Sequence, residues 1–131
     1  MGFSGAKAYS NMNAVTGVEN ADPHRLIQML IDGAIEKIHR ANYFMDEKNI
    51  AEKGRHVSWA ISIINGLRAS LDFEKGGDLS VQLDSLYEFC CATLVEANVE
   101  NNKTKFDSVL DVMQQIKSAW DGIRDQSLQQ S

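Results

Sequence analysis

Residues 22–45, DPHRLIQMLIDGAIEKIHRANYFM, set the architecture of this chain. Asp22 is a helix N-cap residue, and Pro23 suits the first helical position, where a missing N–H costs nothing. Leu26, Leu30, Ile31, Ala34, Ile35, Ile38, Ala41 and Met45 then recur at spacings of three and four. At 100° per residue they occupy an arc of roughly 180°, one broad apolar face of a helix that ends near Lys48.

The same period continues downstream. A second helix over about Ile50–Leu71 presents Val57, Ala60, Ile61, Ile64, Leu67 and Leu71, until Glu74-Lys75-Gly76-Gly77 breaks the pattern. A third, Asp78 to Asn101, presents Leu79, Leu83, Leu86, Tyr87, Cys90, Leu94 and Ala97. After the turn signal Asn101-Asn102, a fourth runs from Lys103 to Arg124 with Phe106, Val109, Leu110, Met113, Ile116, Trp120 and Ile123. Connectors of a few residues force successive helices antiparallel. The expected fold is therefore all-α, an up-down four-helix bundle over residues 22–124. It is preceded by a mobile, partly helical leader, residues 1–21, with a short helix around residues 6–13, and followed by a polar tail, residues 125–131.

The 131 residues are enough for one such domain; 44% are hydrophobic and 24% charged, an ordinary globular balance. Thirteen basic against eighteen acidic residues leave a net charge of −5, which argues against nucleic acid or an anionic membrane as partner. Cys90 and Cys91 are adjacent and staple no distant segments, which fits a reducing compartment. The leader lacks the apolar run of a secretory signal, and no stretch of 18 apolar residues offers a membrane span, so a cytoplasmic protein is expected.

Chemistry finds little purchase. Glu36-Lys37-Ile38-His39 is the single Glu-x-x-His of the chain, whereas a di-iron bundle needs two, and both side chains point away from the apolar arc. Cys90 and Cys91 lie on or beside the core stripe with no histidine nearby in sequence. Lys75-Gly76-Gly77 lacks the ending of a phosphate loop. No cofactor, metal or catalytic residue is expected, and His24, His39 and His56 read as surface histidines.

The informative surplus is apolar surface beyond what a core needs. Trp59 and Ile63 lie one turn apart on the flank of the second helix. Val81, Ala92, Val95 and Val99 form a second stripe on the third. Such stripes fit a groove for an elongated partner, with the leader as a reversible cover. Two other readings remain open: a phosphotransfer bundle using His39, and a structural bundle that dimerises through the same stripes.

Further residues carry a family resemblance: Ala8-Tyr9; Pro23-His24 with Leu26 and Ile27; Met29-Leu30-Ile31-Asp32-Gly33-Ala34; and Leu71-Asp72-Phe73-Glu74-Lys75-Gly76-Gly77-Asp78. Leu83, Leu86-Tyr87, Glu96-Ala97-Asn98 and Ala119-Trp120 follow in order. In these the chain resembles the FliS family of flagellar secretion chaperones over nearly its whole length. The resemblance implies a non-enzymatic, cytoplasmic export chaperone that binds the disordered carboxyl-terminal segment of flagellin, prevents premature polymerisation and delivers it to the cytoplasmic domain of the export gate. An anti-sigma factor is a further candidate partner. The expected flagellin groove is Trp59, Ile63, Val81, Val95 and Val99. The resemblance places a lid and gate-docking role on Ala6, Tyr9 and Met12. Glu74, Lys75 and Asp78 either anchor polar client groups or cap the third helix. Relatives often carry a basic pair after the tyrosine of that helix, where Phe89-Cys90-Cys91-Ala92-Thr93 is uncharged; this implies a more apolar contact with the client.

Overall fold

Asp22 opens the first helix as its residue type predicts: its backbone is extended and its carboxylate accepts from the Arg25 N–H at 2.8 Å. A computed structural model of the chain describes residues 22–130, with side-chain surroundings for residues 22–123. The elements are α1 (Pro23–Asp46), α2 (Ile50–Ala69), the single turn α3 (Phe73–Gly76), α4 (Asp78–Glu100) and α5 (Lys103–Gln130). There is no strand among the described residues. The four long helices close a ring in which α1 packs on α2 and α5, and α4 packs on α2 and α5. Neighbours run antiparallel, because His24 meets Trp120 at one end of the α1–α5 seam and Asn42 meets Asp107 at the other.

Each connection has its own stop signal. Past Asp46 the Lys48 N–H donates to Met45 O and the Asn49 N–H to Phe44 O, while Lys48 itself sits at φ 59°. This is a Schellman ending with lysine where glycine is usual. Asn49 then caps α2 by accepting from the Glu52 N–H at 3.1 Å. Between α2 and α4, Asp72 Oδ1 accepts from the Glu74 and Lys75 N–H groups, and the Ser80 hydroxyl donates back to Asp72 O at 2.9 Å. Gly77 adopts φ 51° and ψ −125°, and a Cβ on Gly76 would lie 1.9 Å from Ser80 Oγ. Both glycines are therefore required, one for conformation and one for space. Asn101, at φ 51° and ψ 50°, ends α4 as the Asn-Asn pair suggested.

The core holds Leu30, Ile31, Ile38, Ile64, Leu67, Cys90, Leu94, Phe106, Val109 and Met113, with Ala34, Ala41, Ala60 and Ala97 wholly buried where helices approach closely. Several expectations are corrected. Ile63 is buried at 5% exposure rather than lining a surface groove; a Cβ on Gly33 of α1 would lie 3.7 Å from its Cδ1. Leu79 and Leu86, expected in the core, are 48% and 39% exposed. His56 is not a surface histidine: it is buried, with Nδ1 donating to Glu52 O at 2.8 Å. His24 is half-buried against Trp120, which leaves His39 as the exposed one. Lys53 is buried too, donating to Asn98 O at 2.9 Å and to Asn101 Oδ1, so its cation closes the carboxyl end of α4. The final helix runs to Gln130, through the expected tail, because nothing after Ile123 is glycine or proline.

Two substitutions test these stops. Lys48→Gly removes the strain of a side chain at positive φ and should raise unfolding free energy by about 0.5–1 kcal/mol, read as a higher urea midpoint at unchanged slope. Gly77→Ala should lower it by about 1–3 kcal/mol in the same measurement.

Candidate functional site

Where α1 begins and α5 nears its end, the ring of helices is not filled. His24 and Trp120 stack with centroids 4.5 Å apart and planes 9° from parallel. Trp120 Nε1–H donates to His24 O at 3.0 Å, and His24 Nε2 donates to Trp120 O at 2.8 Å, which places the imidazole proton on Nε2. Gln28 donates to Asp121 at 2.7 Å, and Lys117 pairs with Asp32 at 2.9 Å. This reciprocal lock fixes one wall. Across from it, the Gly76–Gly77 turn sets the start of α4.

Between the walls lies a cleft of about 530 Å³, with Ile27, Leu67, Tyr87 and Ile116 in its depth and Leu71, Leu79, Ala119 and Ile123 towards its mouth. Ser70, on the rim, turns its hydroxyl back to Gly66 O at 2.9 Å, and the Trp120 N–H is already engaged. Among the described residues, none that lines the cleft carries a carboxylate, imidazole, ammonium or thiol. Leu79, Leu83, Ile116 and Ala119 also line a second groove of about 600 Å³ between α4 and α5, with Gln82, Leu86, Val112 and Gln115. The two adjoin at the four shared side chains and together make an apolar trough, from the open end of the bundle up the α4–α5 seam. Such a surface can bury hydrocarbon from an elongated ligand; it holds no set of groups for bond-making chemistry.

The site residues expected from sequence fall in separate places. Val81, Val95 and Val99 are exposed along the outer face of α4. Trp59 is exposed but belongs to the α1–α2 seam, with Lys37 Nζ 3.8 Å from its ring centroid and His56 beside it. It does not share the α4 face, because α2 meets α4 through other residues: Arg68 bonds Asp84 at 2.9 Å, and Cys91 Sγ donates to Asn65. Ile63 is in the core. Glu74 and Lys75 are exposed on α3 and Asp78 in the first turn of α4, none with an ion-pair partner among the described residues; Asp72 is the capping residue of that loop. Ala6, Tyr9 and Met12 lie outside the described residues, but the chain that carries them joins at Asp22, beside His24 and hence beside the cleft mouth.

The residues that sequence reasoning missed are Leu71, Leu79, Leu86, Trp120 and Ile123, each assigned to the core because it falls on the correct arc. For Leu71 and Leu79 the available signal was their position next to a loop that must swing around two glycines.

Other groups are quiet. Glu36, exposed, is held below the usual carboxylate range by hydrogen bonding and attraction to Lys37, with Arg40 adding to it. Burial pushes the Cys90 thiol up to about 12, and burial raises Cys91 as well, against the opposing pull of Arg68.

The sequence profile of the family described as flagellar protein FliS matches residues 5–127. The chain is 44% identical over 117 residues to the flagellar secretion chaperone FliSB of Pseudomonas aeruginosa, covering 89% of this chain and 93% of that one. It is 40% identical over 118 residues to the flagellar secretion chaperone FliS of Salmonella typhimurium, covering 89% and 87%. To that of Escherichia coli it is 37% identical over 117 residues, covering 88% and 86%.

The thiols provide a check on packing around this site. With Cys90 raised to about 12, roughly one molecule in ten thousand carries its thiolate at pH 8, and it has no access to reagent. Native protein at pH 8 should label slowly at Cys91 alone with Ellman's reagent, and both cysteines should label at once in 6 M guanidinium.

Proposed function

The chain belongs to the FliS family, and from that premise we propose that it is a flagellar export chaperone whose apolar trough takes the disordered carboxyl-terminal segment of flagellin. The observation that carries the reading is the trough itself, two adjoining concavities lined chiefly by hydrocarbon. An extended client loses conformational entropy on binding, so useful affinity needs a long contact rather than a deep pocket. The client lies through the cleft, along Leu79, Leu83 and Leu86, and over Val81, Val95 and Val99. Glu74, Lys75 and Asp78 meet its polar groups at the mouth. Sequestering the segment this way blocks premature polymerisation in the cytoplasm, and the occupied chaperone presents it to the cytoplasmic domain of the export gate. The protein acts by binding alone. No described helix is long and apolar enough to cross a membrane.

The leader supplies the switch in this proposal. It precedes Asp22 in sequence and carries Phe3, Ala6, Tyr9, Met12, Val15 and Val18, apolar groups suited to covering the trough when the client is absent. Displacement by client then frees Tyr9 and its neighbours for the export gate.

Titration of the flagellin carboxyl-terminal peptide into Leu86→Asn and Val95→Asn variants tests the trough. Both positions are exposed, so folding is preserved, and each variant should weaken binding about 5- to 50-fold. Unchanged affinity in both removes the trough from the proposal. Deleting residues 1–21 should tighten binding if the leader competes; weaker binding would show that it contributes contacts instead.

A further inference from the structure

The chain's charge is concentrated on one helix. Residues 22–77 hold eight acidic and eight basic side chains, residues 103–123 three of each, and residues 1–21 and 124–131 one of each. The whole net charge of −5 belongs to α4, whose Asp78, Asp84, Glu88, Glu96 and Glu100 are accompanied by no lysine, arginine or histidine. This same helix shows the most hydrocarbon to the outside: Val81, Phe89, Val95 and Val99 are all about half exposed or more, beside Leu79 and Leu86 of the trough.

Neighbouring helices neutralise only part of that charge. Arg68 of α2 bonds Asp84 at 2.9 Å and lies 3.7 Å from Glu88, whose side chain is 69% exposed. Lys105 of α5 is shared between Glu96 at 2.8 Å and Glu100 at 3.0 Å. Two cations thus serve four carboxylates, and Asp78 has no ion pair among the described residues. Stability of α4 does not account for the pattern. An acid suits the amino-terminal turn, where Asp78 sits, but Glu96 and Glu100 oppose the helix dipole at the carboxyl end.

We propose that the outer face of α4 selects client segments in which lysine or arginine is interleaved with apolar residues, the cations meeting Glu88, Glu96 and Glu100 while the apolar groups cover Val81, Val95 and Val99. The inference rests on the client-binding reading above and adds the sign of the client's charge to it. Two other occupants are disfavoured by the same observation. A second copy docked through this face would set one acidic helix against another. The chain's own leader, with Lys7 and Glu19, offers apolar groups but no net charge. A basic client therefore holds an electrostatic advantage over the leader, expressed chiefly in its association rate and lost as salt screens the face.

The probe is the carboxyl-terminal peptide of a flagellin from the same organism, in its natural form and with every lysine and arginine changed to glutamine. It is titrated into the full chain and into the triple variant Glu88→Gln, Glu96→Gln, Glu100→Gln, at 30 and 500 mM NaCl. An exposed ion pair changes affinity by about 1.5- to 5-fold, so three together should weaken the natural peptide about 3- to 100-fold at low salt and leave the stripped peptide unaffected. Circular dichroism confirms that the variant stays helical. Natural and stripped peptides binding alike, affinity indifferent to salt, or a natural segment without lysine or arginine would each overturn the charge inference while leaving the trough. Failure of both peptides to bind would overturn the client reading and this inference with it.

Discussion

Close packing of α1 against α2 is the contact on which the remaining structure depends. It is the most extensive seam in the ring: Ile63 fits over Gly33, and Ala34, Ala41 and Ala60 of the same two helices are wholly buried. Interiors are dense and deform little, so a tight seam on one side of a four-helix ring fixes how far apart the other helices must stand. The α4–α5 seam, opposite, is built from longer side chains and is less extensive. Near the open end it does not close, and hydrocarbon from Leu79, Leu83, Leu86, Val112 and Ile116 is left facing a channel. The trough is thus the counterpart of a well-filled seam elsewhere, and the His24–Trp120 lock keeps its α1–α5 wall standing without plugging it.

That arrangement suits a protein whose ligand is a stretch of chain rather than a molecule. Its walls are apolar, Ser70 and Trp120 turn their polar groups to backbone, and the charged side chains of the adjoining helix α4 are all of one sign. Charge is unevenly divided between the two halves of the ring. The α1–α2 half carries balanced charge, paired on its surface as in Glu36 with Lys37 and Arg40 or Glu52 with Arg55, whereas α4 carries all the excess. Recognition by hydrophobic contact alone discriminates weakly between greasy segments, and a charge requirement narrows the choice without deepening the pocket. Membership of the FliS family supplies the biological setting, while the distribution of hydrocarbon and carboxylate supplies the reason this bundle is suited to it.

Much of the fold was legible before any coordinates. Asp22-Pro23, Asn101-Asn102 and Gly76-Gly77 mark chain events at the positions their residue types dictate, and the three-four periodicity identified four long helices. The end of α1 was also read near Lys48, although a lysine at a position that favours glycine leaves no trace in composition. The site was legible in part. Val81, Val95 and Val99 stand out of the core stripe of α4 and are indeed exposed, while Trp59, equally exposed, belongs to another seam.

What the sequence determined by itself is local: where helices start and stop, which arc of each is apolar, that the chain makes one antiparallel bundle, and that its negative charge sits on one helix. Tertiary structure alone decided how much of each arc is covered. Ile63 goes in, Leu79 and Leu86 stay out, and Lys53 and His56 are buried as polar residues holding neighbouring backbone. The physical reason is that periodicity gives a side chain's angle about its own axis, whereas burial depends on how near the adjoining helix stands and how far along it extends. Those two distances come from residues elsewhere in the chain, the small ones of the α1–α2 seam and the paired glycines before α4.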